Sequence, residues 1–113
     1  MTITHTVVFR FNIESTDVQA VIKQFHNLKN VCVRQGREYI QSIESGVNIS
    51  EEGLDRGFTY VFIVKFDNKS DLDYYVNDDI EHKNFKLAVD PVLIKGEHDN
   101  GALVFDFECI ERK

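Results

Sequence analysis

The stretch "GFTYVFIVKF", Gly57 to Phe66, decides how this chain is read. Phe58, Tyr60, Phe62, Val64 and Phe66 alternate with period two, so they share one face of a strand. Val61 and Ile63 point the other way and are also apolar. A strand loaded on both faces lies centrally in a sheet that is covered on both sides.

Working outward, "THTVVFRF" at the start of the chain gives a strand over residues 2–12. Ile3, His5, Val7, Phe9 and Phe11 share one face, and Thr4, Thr6, Val8 and Arg10 the other. Ser15, Thr16 or Asp17 can cap the helix that follows, whose apolar positions Val18, Val21, Ile22, Phe25, Leu28 and Cys32 carry it to about Arg34, with Gly36 as its stop. Tyr39, Ile40 and Ile43 mark a second strand that ends irregularly near Gly46. After the central strand, "SDLDYYV" opens a short helix with Ser70 and Asp73 at capping-box spacing. Asn77-Asp78 breaks it, and Asp79 caps a second piece that stops before Pro91. "GALVFDFECI" closes the pattern, with Leu103, Phe105, Phe107 and Cys109 on one face. The order β-α-β-β-α-β, its second helix split, predicts an α+β ferredoxin-like sandwich: a four-stranded antiparallel sheet with helices on one side. Val8, Val61 and Ile63 would then leave an apolar patch on the bare side. A second copy of the same sheet covers it most simply, giving a two-fold homodimer.

Composition narrows the function classes. A chain of 113 residues holds one domain, 1–113, and 42% hydrophobic with 28% charged residues is ordinary globular usage. The balance of 13 basic against 19 acidic residues, net −6, leaves no basic cluster beyond the terminal Arg112-Lys113. This argues against nucleic acid and against anionic membranes. No apolar run has transmembrane length, and His5 and Arg10 interrupt the only stretch that could resemble a leader, so a cytoplasmic protein is expected, small enough to diffuse into a nucleus. Cys32 and Cys109 lack CxxC spacing and read as reduced thiols used as small core residues. The four histidines show neither HxxxH nor HExxH spacing, so no metal is expected, and no phosphate-cradling loop of GxxxxGK spacing is present. His26 reads as a boundary residue of the first helix and His98 as an exposed loop residue.

The stretch "YYVNDDIEHKNFKLAVDP", Tyr74 to Pro91, is the candidate for chemistry. His82 shares a helical stripe with Phe85 and Val89, which places an imidazole on an inward face. Burial and the positive end of the helix dipole both disfavour imidazolium there, so the ring should stay neutral and able to accept a proton. His5, on the strand face with Phe9 and Phe11, approaches the same cavity if that face meets the helices. Set beside this is the plain reading, in which a first-turn histidine caps backbone groups and His5 is a satisfied strand residue.

Taken together, "ITHTVVFRF", "ESGVNIS", "GFTYVFIVKF", "YYVNDDIEHKNF" and "LVFDFE" resemble the stress-responsive dimeric A/B-barrel (Dabb) family over nearly the whole chain. The resemblance implies a homodimer whose two sheets close into a barrel, with a pocket between sheet and helices. By similarity to the family's plant polyketide cyclases, of the olivetolic acid cyclase type, the pocket histidine falls on His82 and the first-strand histidine on His5. The tyrosine falls on Tyr75, with Tyr74 the alternative because its spacing to the histidine differs by one residue. The family's proline before the histidine is Ile80 here. The implied chemistry is a cofactor-independent aldol or Claisen cyclisation of a small hydrophobic or aromatic ligand, with His82 as base, Tyr75 as oxyanion donor and His5 orienting. The competing expectation is a non-catalytic, stress-induced structural or ligand-binding dimer.

Overall fold

A computed structural model describes residues 2–110. Arg112-Lys113, noted above for their charge, lie outside the described residues. The elements run β1 (Ile3–Phe9), α1 (Val18–Val31), β2 (Val33–Arg34), β3 (Arg37–Glu38), β4 (Ile40–Val47), β5 (Tyr60–Phe66), α2 (Lys69–Asn77), α3 (Ile80–Val89), a 3-10 turn (Asp90–Val92) and β6 (Ala102–Glu108). The large sheet has four strands in the order β4-β5-β1-β6, and every neighbouring pair is antiparallel. This is the ferredoxin-like α+β fold that the element order predicts.

The helices cover one face. Ile3, Val7 and Phe9 of β1, with Phe62, Val64 and Phe66 of β5, pack against Val21, Ile22, Phe25 and Leu28 of α1 and Phe85 and Val89 of α3 in a single apolar core. Phe25 stacks on Phe62 with centroids 3.9 Å apart. α2 lies over β1 and β5, and α1 over β4, so the inner face of edge strand β6 is left uncovered. That gap leaves a cavity between α3 and β6.

Local chemistry moves several boundaries. The first helix ends at Val31, three residues short of the expected end at Arg34. Gln35 and Gly36 instead form the turn of a two-residue hairpin, both with positive φ (53° and 76°). Such a turn needs φ > 0 at both central residues, which glycine adopts freely. α2 is capped by Asn68, whose side chain accepts from the Asp71 N–H, rather than by Ser70. Asp79 caps α3 as expected and accepts from the Glu81 N–H at 2.9 Å. Cys32 is fully buried in the core, but Cys109 follows the end of β6 and is exposed, so only one thiol is a core residue.

The far side of the sheet is apolar, as the central strand requires. Val8 pairs with Val61 and Leu103, and Thr6 with Ile63 and Phe105, in one band across three strands. Phe105 is 59% and Phe107 54% exposed. At one end of the sheet Arg10 donates to the Ile94 carbonyl and to Asp99 and lies over the Phe58 ring, 4.3 Å from its centroid. This clamp fixes the loop that leads into β6. Gly101 in that loop has φ +89°, and a Cβ there would meet the Ile94 carbonyl oxygen at 2.6 Å, so the loop closes only around glycine.

Candidate active site

The gap between α3 and β6 forms a cavity of about 670 Å³, the size of a small-molecule site. Its walls are mainly apolar, with Val7, Phe9, Phe85 and Val89 on the core side and Val104 on the strand side. His5, His82 and Asp106 are its principal polar walls, and Lys86 and Asn100 stand at its margin. Asp90, also on the margin, is already paired with Lys95 at 2.5 Å.

His82 reaches the wall because α3 starts at Asp79 and its first turn faces inward, in line with Phe85 and Val89. Its ring is 9% exposed and lies flat on Tyr75, centroids 3.9 Å apart and planes 18° apart. Nδ1–H donates to the Tyr75 backbone carbonyl at 2.9 Å. A carbonyl can only accept, so the neutral ring keeps its proton on Nδ1 and leaves Nε2 as a free lone pair. Burial pushes the His82 pKa down to about 4. The Tyr75 carbonyl opposes the shift, Lys86 and His5 add to it, and Asp79 opposes it again. The ring is therefore neutral near pH 7, as the sequence reading expects.

Tyr75, not Tyr74, is the inward tyrosine. Tyr75 is fully buried, whereas Tyr74 is half-buried beneath Arg34 and edge-on to Tyr39. Tyr75 stands behind His82 rather than on the cavity wall itself. Its hydroxyl is buried without a hydrogen-bond partner among the described residues, and burial holds its pKa well above the ordinary tyrosine value. An unsatisfied buried hydroxyl costs about 1–3 kcal/mol, so its persistence asks for an explanation.

His5 is 2% exposed and edge-on to Tyr75, centroids 5.5 Å apart. Its Nδ1 lies 2.5 Å from Asp106 Oδ1, while its Nε2 is buried and has no partner among the described residues. The sequence reading passed over Asp106, although the alternation of "LVFDF" offered the signal. Leu103, Phe105 and Phe107 take one face, which puts a carboxylate on the helix side. A second polar cluster was also missed. Tyr39 donates to Asp79 Oδ2 at 2.5 Å, and Asp79 is 2% exposed. Burial raises the pKa of Cys32 and of Tyr39, and the nearby Asp79 raises each further, so both stay protonated.

His26 and His98 lie apart from the site. His26 is exposed, its Nε2 2.6 Å from Ser45 Oγ, and His98 stands in the solvent-exposed loop before β6. Among the described residues no group of three metal-ligating side chains occurs, and no helix is long and apolar enough to cross a membrane.

With fold and site in view, the family is decided by the profile of the stress-responsive A/B barrel domain, which matches residues 3–109. The chain belongs to that family. Among solved structures, a protein of Arabidopsis thaliana is 22% identical, with 98% of each chain covered and a TM-score of 0.79. A hydroxynitrile lyase from Passiflora edulis is 17% identical over 99% of this chain and 96% of its own, with a TM-score of 0.76. A dimeric ferredoxin-like protein of unknown function from Jannaschia sp. is 18% identical over 96% and 100%, with a TM-score of 0.73. No curated protein matches the sequence. At these identities the likeness of this stress-responsive A/B barrel domain to solved structures concerns the fold.

Proposed function

We propose that this A/B-barrel protein is a homodimer that binds a small hydrophobic or aromatic molecule between α3 and β6 and acts on it by cofactor-independent acid–base chemistry of the cyclase or lyase type. The observation that carries this reading is the apolar cavity of about 670 Å³ bordered by His82 and His5, with the Tyr75 hydroxyl unpaired beneath. A core that only needed filling would place Leu or Phe at these positions and avoid the desolvation cost. In the proposed chemistry, His82 Nε2 accepts a proton from a carbon beside a carbonyl. Tyr75 fixes the His82 tautomer through its own carbonyl, and its hydroxyl, unpaired behind the wall, becomes a donor to the developing oxyanion once ligand binding opens the His82–Tyr75 stack. His5 orients the ligand. The sheet face bearing Val8, Val61, Ile63, Leu103 and Phe105 meets its copy in the partner, closing the barrel. The dimeric neighbours and the lyase that shares the scaffold support this reading.

The test is a titration of 15N-histidine-labelled protein with small aromatic and polyketide-like compounds. Ligand-dependent shifts at His82 and His5, lost in a still dimeric His82→Ala variant, are expected. If no compound shifts either ring and His82→Ala only lowers stability, the protein is the non-catalytic structural dimer instead.

A further inference from the structure

The role of Asp106 deepens the reading of the cavity as a reaction site, and rests on it. β1 and β6 are paired so that His5 stands directly opposite Asp106 on the helix-facing side of the sheet. Directly opposed side chains on one face of an antiparallel pair are close enough to bond. The result is the 2.5 Å contact between His5 Nδ1 and Asp106 Oδ1. The Asp106 side chain is 38% exposed, so water still reaches the carboxylate, while the His5 side chain is 3% exposed. The buried imidazole thus has a partly exposed carboxylate on one side and, on the other, a buried Nε2 with no hydrogen-bond partner among the described residues.

A carboxylate can only accept, so the pair obliges His5 to carry its proton on Nδ1. Imidazole without a partner at Nδ1 favours the opposite tautomer. A histidine wanted only for packing could satisfy Nδ1 with a backbone carbonyl, as His82 does. Backing by a charged acceptor adds something a carbonyl cannot: it offsets the positive charge that appears when the ring takes up a proton.

We propose that Asp106 is a positioning residue that holds His5 in the Nδ1–H tautomer and so makes His5 Nε2 a second proton acceptor of the site. In the step this allows, an acidic O–H or C–H bond of the ligand breaks and its electron pair stays on the ligand as an enolate or phenolate. The proton bonds to His5 Nε2, and the imidazolium that results keeps Nδ1–H on Asp106. Return of the proton to the product restores the pair, and no oxidant or cofactor is consumed. The two histidines then divide the work. His82, backed by a neutral carbonyl and desolvated, is suited to accepting a hydrogen bond or a transient proton. His5, backed by Asp106, takes the ligand's proton at Nε2 while its Nδ1–H stays on the carboxylate. The matching ligand is an apolar ring system that bears a weakly acidic hydroxyl.

Two-bond 1H–15N correlation of the histidine rings, at about two pH units above the ordinary histidine value, reads the tautomer of each ring directly. His5 of the free protein is expected with its proton on Nδ1. Asp106→Ala should move the tautomer ratio toward Nε2–H by about tenfold or more. Asp106→Glu should restore it in part, with the His82 signals unchanged throughout. A His5 protonated on Nε2 in the unaltered protein overturns the proposal, whether or not the alanine variant folds. So does a ratio unmoved by Asp106→Ala. For the acceptor role the probes are 2-naphthol and its methyl ether, 2-methoxynaphthalene, which lacks the donor. The naphthol should bind about tenfold tighter, shift His5 Nε2, and lose that advantage in Asp106→Ala. Equal binding of the two overturns the acceptor role. Failure of both to bind counts against the cavity as a ligand site, while the tautomer in the free protein still decides the part played by Asp106.

Discussion

His82 stacks on Tyr75 at 3.9 Å, and its Nδ1 donates to the carbonyl of that same tyrosine at 2.9 Å. One residue of α2 therefore fixes both the plane and the tautomer of the imidazole on α3. The corner between the two helices is held from the other side by Asp79, which caps α3 and accepts the Tyr39 hydroxyl. His82 can be buried at the cavity wall because these contacts leave it little rotational freedom to lose.

Burial of His82 makes stability depend on pH. Its folded value of about 4 lies below the ordinary 6.5, so the unfolded chain binds the extra proton first. The contribution is fully present above about pH 6.5, falls as pH drops through the window, and levels off below about 4. Urea unfolding at about pH 7 and about pH 5 should differ by about 2 kcal/mol from this residue, on the linkage slope of 1.36 kcal/mol per unit. In His82→Gln that portion of the difference should vanish. An unchanged pH dependence would contradict the burial of a neutral ring.

Tyr75→Phe removes a buried hydroxyl that has no partner among the described residues. Loss of a satisfied hydrogen bond would destabilise the protein, but loss of an unsatisfied one should be neutral or stabilising, by up to about 1–3 kcal/mol. The same variant should weaken ligand binding. A rise in melting temperature together with reduced affinity would identify the hydroxyl as kept for function. A clear loss of stability would show that it already has a partner.

Tyr39→Phe has the opposite sign. The Asp79 carboxylate is buried at 2% exposure and loses one of its donors, at a cost of about 1.5–3 kcal/mol for a bond to a charged group. Because Asp79 also caps the helix that carries His82, the variant should broaden the His82 ring signals. Denaturant unfolding and the same histidine spectra measure both effects.

Val61→Asp places a charge on the apolar side of the sheet, beside Val8 and opposite Gly46. If that face is the dimer interface, sedimentation should show a monomer, because an unpaired charge inside a self-complementary interface is strongly disfavoured. A dimer that survives the substitution would assign the interface to another surface.

Much of this fold could be read along the chain. The strand at Tyr60–Phe66 is apolar on both faces, and period-two alternation gives β1 its buried odd positions. The stripe His82, Phe85, Val89 was legible because α-helical spacing repeats reliably over two turns. Boundaries were less legible. Gly36 fits both a helix stop and a hairpin turn, since each asks for a positive φ, and the choice depends on whether the next residues find a pairing partner.

The pairs that make the site belong to another level. His5 with Asp106 are 101 positions apart and Tyr39 with Asp79 are 40 apart. No local period couples them, because the register of one strand against another is set by the whole sheet closing over its core. By itself the sequence determined the order of elements, the apolar faces and the inward position of His82, since propensity and periodicity act over a few neighbouring residues. Only the tertiary structure decided that Tyr75 rather than Tyr74 turns inward, that Cys109 is exposed, and that edge strand β6 stands uncovered with Asp106 facing His5. Those outcomes depend on packing between elements distant in the chain, where the side chain that meets a given residue is chosen by the fold and not by its neighbours.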